Sequence, residues 1–364
     1  MYISRIYLKN FRNYSEQTID LNENVNIIYG KNAQGKTNLI ESVFLCSTGR
    51  SHRTSRDNEM IMDGGHSFSV RIEGLKDDIP FDISIHYEKG GKKIIRVNGL
   101  KIRRFGEMIG VLNTVIFSPD DLQIIKRGPA ERRRFLDILI SQTNPSYFYN
   151  LQKYQKIIKQ KNALLRKYDR TAGGFDLLEV YNAKQAETGS RIIEERISFI
   201  DDIKERIQEN HSKLTKDMEK IEIKYISSAG KDANDESRLL KFLENNTKQE
   251  IRNQACLYGP HRDDMDIFVN GNDLRSFGSQ GQQRTAVLSL KLTEIQLIKE
   301  KTGHSPVLLL DDVMSELDVS RKRYLLDNID TRQTLITGTE KRTYSAFEDK
   351  TTYLHVSNGT VELK

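Results

Sequence analysis

Cysteine is nearly absent from this 364-residue chain; Cys46 and Cys256 are the whole complement. Two thiols cannot complete a metal site unaided and make no disulfide framework, so a reducing, cytoplasmic setting is expected. Cys46 falls in an apolar helix pattern and reads as a small core residue. Long apolar runs are missing too. None approaches the roughly 20 residues needed to cross a bilayer, so no membrane role is expected. The first residues, Met1-Tyr2-Ile3-Ser4-Arg5-Ile6-Tyr7-Leu8, alternate like a strand and lack the apolar core of a signal peptide. The seven histidines are scattered, without metal-ligand spacing. There is no internal repeat and no low-complexity tract. Hydrophobic residues make up 37% and charged residues 30%, a balance with much polar surface, of the kind long solvated helices produce. The length suits one large domain or two modest ones. A formal charge of +6 and a pI of about 9.0 allow a polyanionic partner.

What is present falls into three stretches. Residues 1–125 read mainly as strands. Val25 to Tyr29 is a short apolar run that feeds a Gly-rich loop, and a helix is expected from Lys36 to about Ser47. Further strands are expected at Phe68–Glu73, Phe81–Tyr87, Ile94–Val97 and Asn113–Phe117, with Asn98-Gly99 as a turn. From Ala130 to about Gln208 the periodicity is helical, broken at Thr171-Ala172-Gly173-Gly174. One stripe runs through Tyr154, Ile157, Ile158, Leu164, Leu165 and Tyr168, another through Ile193, Ile197, Ile200 and Ile207. Two or three helices folded back on each other satisfy both stripes, giving a compact helical lobe. Strand and turn signals return at Ile221, with Asn270-Gly271 as a turn. Gln282 to Lys301 reads as a helix, Pro306 to Leu310 as a buried strand, Arg321 to Asn328 as a helix, and Thr334 to Thr337 as the last strand.

Three segments carry chemistry. Gly30-Lys31-Asn32-Ala33-Gln34-Gly35-Lys36-Thr37 matches G-x-x-x-x-G-K-[ST] between a strand and a helix, the context a phosphate-binding loop requires. Gly30 and Gly35 let the backbone curl so that N–H groups face phosphate oxygens. Lys36 supplies charge to the β and γ phosphates, Thr37 offers a hydroxyl to Mg²⁺, and the helix start adds its positive end. ATP with Mg²⁺ is therefore the expected ligand. Four apolar residues ending in Asp311-Asp312 read as a Walker B strand. Asp311 is the candidate for the Mg²⁺ shell and Asp312 for polarising the attacking water; the alternative is a pair of solvated aspartates capping the next helix. Phe277-Gly278-Ser279-Gln280-Gly281-Gln282-Gln283-Arg284 opens a helix and forms a second anion-binding helix start.

That third segment is similar to the ABC ATPase signature, with Gln280 where the pattern usually has glycine. Ser315-Glu316-Leu317-Asp318 looks like the D-loop of the same superfamily. Leu8-Lys9-Asn10-Phe11-Arg12-Asn13-Tyr14, Asn32, Asn38 and Tyr258-Gly259-Pro260-His261-Arg262-Asp263-Asp264 narrow the match. Together these motifs, spread from residue 2 to residue 318, resemble the RecF family, relatives of the SMC-type ATPases. The resemblance implies an α/β fold: an ABC-type P-loop ATPase head, a mixed sheet with helices, plus a helical arm. The head is expected from 1–125 and 221–364, the arm from 126–220. It implies a head-to-tail dimer in which Ser279, Gln280, Gly281 and Gln282 of one protomer close on ATP held by the other. It also implies dimerisation on gapped or junction DNA, slow ATP hydrolysis, and cooperation with RecO and RecR to load RecA in repair, replication and the SOS response. Arg12 matches a family arginine that approaches the phosphates.

Two departures stand out. Asp312 replaces the usual glutamate, one methylene longer, so slow turnover is expected. Thr334-Leu335-Ile336-Thr337 is followed by Gly338-Thr339 rather than by the switch histidine of transporters, which argues against a transport subunit; Thr337 or Thr339 is left to sense the γ-phosphate. Ser118-Pro119-Asp120-Asp121, with Gln123 nearby, stands roughly where a Q-loop belongs. His261 and Arg262 read either as a contact under the signature loop or, for Arg262, as a salt-bridged structural arginine. An ATP-powered motor or nuclease-associated ATPase is the rival class, but neither further motor motifs nor an acidic metal cluster is visible.

Residues 131–170 hold ten Lys and Arg against three Asp and Glu, a local balance of +7. Arg132, Arg133, Lys153, Lys156 and Lys159 are the candidate DNA contacts, beside Tyr147 and Tyr149. No base-reading motif is present, so backbone and junction shape are the expected target. The alternative is a solvated helix face.

Overall fold

A computed structural model describes residues 1–168, 174–329, 331–341 and 351–364. The chain opens with strands β1 (Tyr2–Phe11), β2 (Tyr14–Asp20) and β3 (Val25–Tyr29), then helix α1 (Lys36–Thr48). Strands β4 (Ser67–Lys76), β5 (Ile79–Glu88), β6 (Ile94–Val97), β7 (Leu100–Lys101) and β8 (Thr114–Phe117) follow. Helices α2 (Gln123–Lys126), α3 (Pro129–Thr143), α4 (Pro145–Arg166) and α5 (Gly174–Thr215) lead to β9 (Ile221–Ile226) and α6 (Glu236–Asn253). Next come β10 (Asp264–Val269), β11 (Asn272–Asp273), α7 (Leu274–Phe277), α8 (Gln280–Thr302) and β12 (Val307–Leu310). The chain closes with α9 (Val313–Glu316), α10 (Val319–Asn328), β13 (Thr334–Gly338), β14 (Thr351–Ser357) and β15 (Thr360–Leu363).

Two compact units divide these elements: residues 1–121 with 290–364, and residues 122–289. The first unit has two six-stranded sheets. One, ordered β2-β1-β4-β5-β6-β7, is antiparallel throughout. The other is ordered β15-β14-β3-β13-β12-β8; its inner pairs are parallel and only β15 runs against its neighbour. Helix α1 packs against β4 and β5 of the first sheet and β8 and β13 of the second. That double cover explains why eleven of its thirteen residues are buried, Leu39, Ile40, Val43, Phe44, Leu45 and Cys46 among them. Burial on both faces also explains the apolar runs of β12 and of Val115–Phe117 in β8, as expected of parallel strands.

In the second unit α5 packs on α3, α4, α6 and β9, and the antiparallel sheet runs β11-β10-β9. Residues 221–289, which sequence places with the ATPase head, fall in this unit, because β9 pairs along its whole length with β10 and carries α5 with it. Among the described residues the long helical stretch is three helices. Asn144 ends the first turn of the chain's reversal by capping α4, its side chain accepting from the N–H groups of Ser146 and Tyr147, with Pro145 at the first helical position. The expected break at Thr171-Ala172-Gly173 lies outside the described residues. Helix α6 and the β14–β15 hairpin are additions the sequence patterns did not disclose, and Thr334–Gly338 is therefore not the last strand.

Buried charges tie this unit together. Arg196, 1% exposed, reaches Asp137 on α3 at 2.7 Å, the hydroxyl of Tyr147 at 2.9 Å and the carbonyl of Pro260 at 2.7 Å. Replacing it takes the cation from Asp137, which keeps the Tyr147 hydroxyl, and the donor from the buried Pro260 carbonyl. Arg196→Leu is expected to lower stability by about 3 kcal/mol, measured as a drop in urea midpoint at constant m-value.

Candidate functional site

The loop between β3 and α1 sits at the carboxyl end of the parallel sheet. Gly30 and Gly35 have φ of +152° and +120°, and Ala33 is left-handed at +62°. A Cβ at Gly30 would stand 2.2 Å from the carbonyl oxygen of Val356, so only glycine lets β14 lie this close. Lys36 is folded over the loop, its Nζ donating to the carbonyls of Gly30 at 2.8 Å and Lys31 at 2.9 Å. Burial lowers its pKa, opposed by Asp312 and Asp311. Lys31, Asn32 and Ala33 are exposed at the rim, while Gln34 is half-buried.

Strand β13 separates β3 from β12. Across that gap Thr37 Oγ1 donates to Asp311 Oδ1 at 2.9 Å, and Thr337 Oγ1 donates to the same oxygen at 2.9 Å. Thr337 in turn accepts the N–H of Asp312 at 2.9 Å, which fixes Asp312 in a left-handed conformation with φ of +56°. Burial raises the Asp311 carboxyl, against the hydroxyls of Thr337 and Thr37. Sequence-predicted Thr37, Lys36, Asp311 and Asp312 are thus brought together. Of the two candidate sensors, Thr337 is the one on Asp311, while Thr339 is exposed.

Arg12 does not stand free over the loop. Its guanidinium is bidentate on Glu41 of α1, at 2.9 and 2.7 Å, and donates to the carbonyl of Glu59 at 2.5 Å. Burial disfavours the Glu41 anion, but hydrogen bonds from Arg12 and Ser51 and the charges of Arg12 and Arg53 hold its pKa below the ordinary value. Arg53, which no sequence pattern marked, donates to Asn38 Oδ1 at 2.8 Å and lies near enough to lower the Asp311 pKa. Asn38 also donates to Asn13 at 2.8 Å.

The loop is propped from two sides. Asn13 Nδ2 donates to the carbonyl of Gln34 at 2.8 Å and Tyr14 donates to that of Gly35 at 2.9 Å. From the β14–β15 turn, the N–H groups of Asn358 and Gly359 donate to Gln34 Oε1 and to the Gln34 carbonyl, at 2.6 and 3.2 Å. Asn358-Gly359 is a strong turn dipeptide, a signal that could have marked this hairpin.

Asp121, in the expected Q-loop segment, accepts from the N–H of Ser118 at 2.7 Å and lies 3.6 Å from Lys291 Nζ, which also holds Glu294 at 3.0 Å. Asp318 caps α10, accepting from the N–H of Arg321 at 2.9 Å.

In the second unit the signature segment starts α8. Ser279 N–H donates to Gln282 Oε1 at 2.9 Å, and Gln282 N–H donates to Ser279 Oγ at 3.2 Å, a reciprocal cap. Gln280 is exposed and Gly281 half-buried, and Phe277 is 78% exposed beside them. His261 and Arg262 bond to Tyr154 and Cys256 instead of to this loop. His261 Nδ1 meets the Tyr154 hydroxyl at 2.8 Å, and Arg262 donates to the carbonyl of Cys256 at 3.1 Å.

The basic run is only partly at the surface. Arg132 is a correction: it is 4% exposed, bidentate on Asp264 at 2.7 and 2.8 Å, and donates to the carbonyls of Ile124 and Arg127. Arg133 donates to the Asp263 carbonyl at 2.7 Å. Both are spent on the fold, because β10 brings carboxylates and carbonyls against α3. Lys153 pairs with Glu187 at 3.0 Å, whereas Lys156 and Lys159 are exposed.

Residues 2–362 match the family model described as RecF/RecN/SMC N terminal domain. The head of Smc from Pyrococcus furiosus, 15% identical with a TM-score of 0.55, shares the fold. The class is therefore an α/β ATPase head of the SMC kind. The DNA replication and repair protein RecF of Acetivibrio thermocellus is 49% identical over 351 residues, 94% of this chain and 95% of that protein. That of Clostridium novyi is 43% identical over 364 residues, 99% of each. A solved structure of the recombination mediator protein RecF-ATP in RecFOR pathway superposes with a TM-score of 0.92 at 39% identity, covering 100% of this chain and 97% of that one. The chain belongs to the RecF family.

Gly359 offers a direct test of the propped loop. Its φ is +72°, and a Cβ there would stand 2.2 Å from the Asn13 carbonyl oxygen. Gly359→Ala is expected to cost about 2 kcal/mol in urea unfolding, and to speed amide hydrogen exchange at Gln34 and Gly35.

Proposed function

We propose that this chain is an ATP-gated DNA clamp of recombinational repair and replication, a weak ATPase that acts as a switch. The observation that carries the reading is the convergence of Thr37, Thr337 and the Asp311–Asp312 strand end on the loop that holds Lys36. The relatives described as DNA replication and repair proteins, and the RecF-ATP structure, support it.

Arrival of the nucleotide draws Lys36 from the loop carbonyls onto the β and γ phosphates, while the N–H groups between Gly30 and Thr37 cradle them. Thr37 and Asp311 are the residues that would hold Mg²⁺; two oxygens already sharing one proton beside a desolvated carboxyl fit a cation. When bound, the ion supplies charge against the phosphates. Asp312 polarises the attacking water from one methylene farther back than a glutamate, which keeps turnover slow. Ser279, Gln280, Gly281 and Gln282 of a second protomer close on the γ-phosphate, so binding rather than hydrolysis drives closure. Arg12 reaches the phosphates only by exchanging Glu41 or Glu59 for them. The clamp works at gapped or junction DNA with RecR and RecO, upstream of RecA.

Light scattering with ATP and Mg²⁺ tests the switch. The mass is expected to double from 42.1 kDa and to stay single in Lys36→Arg, with Asp312→Asn trapping the dimer. A fixed mass with nucleotide bound removes ATP-driven dimerisation and returns the case to the motor class. A salt titration tests the DNA face. Lys156→Ala with Lys159→Ala is expected to weaken binding to all sequences alike and to reduce the salt slope by about 2; an unchanged slope places DNA elsewhere.

A further inference from the structure

The reciprocal cap at Ser279 does not end with Gln282. With its oxygen committed to Ser279 N–H, the Gln282 amide turns its NH₂ the other way, and Nε2 donates to Glu219 Oε1 at 3.0 Å. Glu219 Oε2 lies 3.3 Å from Nε2 of His211, whose side chain is fully buried, and His211 Nδ1 lies 3.1 Å from Ser289 Oγ, two turns further along α8. The imidazole thus lies between Glu219 Oε2 and the Ser289 hydroxyl, whose own proton goes to the Thr285 carbonyl at 2.8 Å. Burial lowers the His211 pKa against the pull of Glu219.

Glu219 comes from a different element. It lies on the reversal between α5 and β9, where Lys216 and Asp217 are left-handed, with φ of +54° and +60°. Such conformations are costly for non-glycine residues and persist where the surroundings fix them. Here Asp217 N–H donates to the Ser212 carbonyl at 2.9 Å, Lys220 N–H to Asn270 Oδ1 at 2.8 Å, and Ile221 N–H to Gln208 Oε1 at 2.8 Å. A helix start caps itself with serine and glutamine alone. A carboxylate delivered by a strained reversal and backed by a buried histidine exceeds that need.

We infer that Glu219 and His211 are positioning residues of the signature site: by fixing the Gln282 amide they keep Ser279 Oγ as the acceptor of Gln282 N–H, leaving its own proton to donate to an incoming phosphate. This rests on the reading of Ser279 to Gln282 as the site that closes on a partner's ATP. The physical lever is simple. An ionised carboxylate only accepts, so it forbids the flipped amide. Without Glu219 only the Ser279 N–H holds the amide, and a turn that brings its NH₂ to that N–H opens the cap. Nucleotide binding at the loop of the same protomer is untouched.

The test uses the full chain with ATP and Mg²⁺. Two quantities are measured: the dimerisation constant, and the affinity of the monomer for a fluorescent ATP analogue. Glu219→Ala and Gln282→Ala are each expected to weaken dimerisation about tenfold, the worth of a hydrogen bond to a charged group. The double variant is expected to cost no more than either alone, because the two act through one contact. Monomer affinity is expected to stay at the parent value in Glu219→Ala. Glu219→Gln, which keeps an acceptor oxygen but also offers a donor, falls between; it replaces Glu219→Ala should the latter show a lowered urea midpoint. Ser279→Arg, which blocks the site outright, is the control. If Ser279→Arg abolishes dimerisation while Glu219→Ala and Glu219→Gln behave as the parent, the inference is overturned and the dimer reading stands. Single losses that multiply in the double variant overturn it as well. If the parent does not dimerise, or Ser279→Arg dimerises normally, the underlying reading has failed and the inference falls with it.

Discussion

One carboxylate oxygen organises the first unit. Asp311 Oδ1 accepts a hydrogen bond from Thr37 at the head of α1 and another from Thr337 on β13. Strands β3 and β12 are not neighbours, so the phosphate loop and the Asp311–Asp312 pair can meet only across β13, and Thr337 fills that span. The same hydroxyl accepts Asp312 N–H and sets its left-handed backbone. Remove this node and the loop has no fixed distance from the strand end. Burial pushes the Asp311 carboxyl up, and two hydroxyl donors are what favour its anion in a place that otherwise disfavours charge. The loop therefore stands ready before any ligand arrives, with Lys36 parked on carbonyls it can surrender.

Rigidity behind the loop has the same logic. A site is held best by elements that cannot move independently. Helix α1 is covered on both sides by sheet, which fixes Thr37 and Glu41 along its axis. The β1–β2 turn supplies Asn13 and Tyr14, and the β14–β15 turn supplies Asn358 and Gly359, all converging on the backbone of Gln34 and Gly35. Chain segments more than 340 residues apart thus prop one peptide. The Gly30 contact with Val356 is the counterpart: the loop can be this well supported only because no side chain intervenes.

Much of this was legible because the relevant signals are local. A phosphate loop declares itself by glycine spacing between a strand and a helix. Strands β12 and β13 declare themselves by short apolar runs, and α8 by the Gly- and Ser-containing segment that opens it. Charge was harder to read. Arg132 and Lys161 look like members of a basic surface, yet Arg132 is committed to Asp264 and Lys161 lies fully buried against Glu250 at 2.6 Å. A local count cannot see partners that lie 132 and 89 residues away. Nor does the polar mixture of Thr351–Ser357 betray a strand whose pairing is with β3 at the other end of the chain. Arg53 carries no pattern at all; only the folded geometry sets it beside Asn38 and Glu41.

The buried charges of the second unit do something an apolar core cannot. Each joins a different pair of elements: Arg132 of α3 with Asp264 of β10, Lys161 of α4 with Glu250 of α6, Arg196 of α5 with Asp137 of α3. A hydrophobic stripe tolerates a slide of one helical turn, since leucine and isoleucine recur at that spacing and the area buried changes little. A buried ion pair does not, because the slide leaves a desolvated charge alone at a cost of about 3–5 kcal/mol. Net stability from such pairs is small, but their selectivity for one register is large. One of them anchors α5 itself and the other two fix α3, α4 and α6, the helices packed against it, so the reversal at its end is held in place. That is what brings Glu219 from the far end of a 42-residue helix to within a hydrogen bond of Gln282.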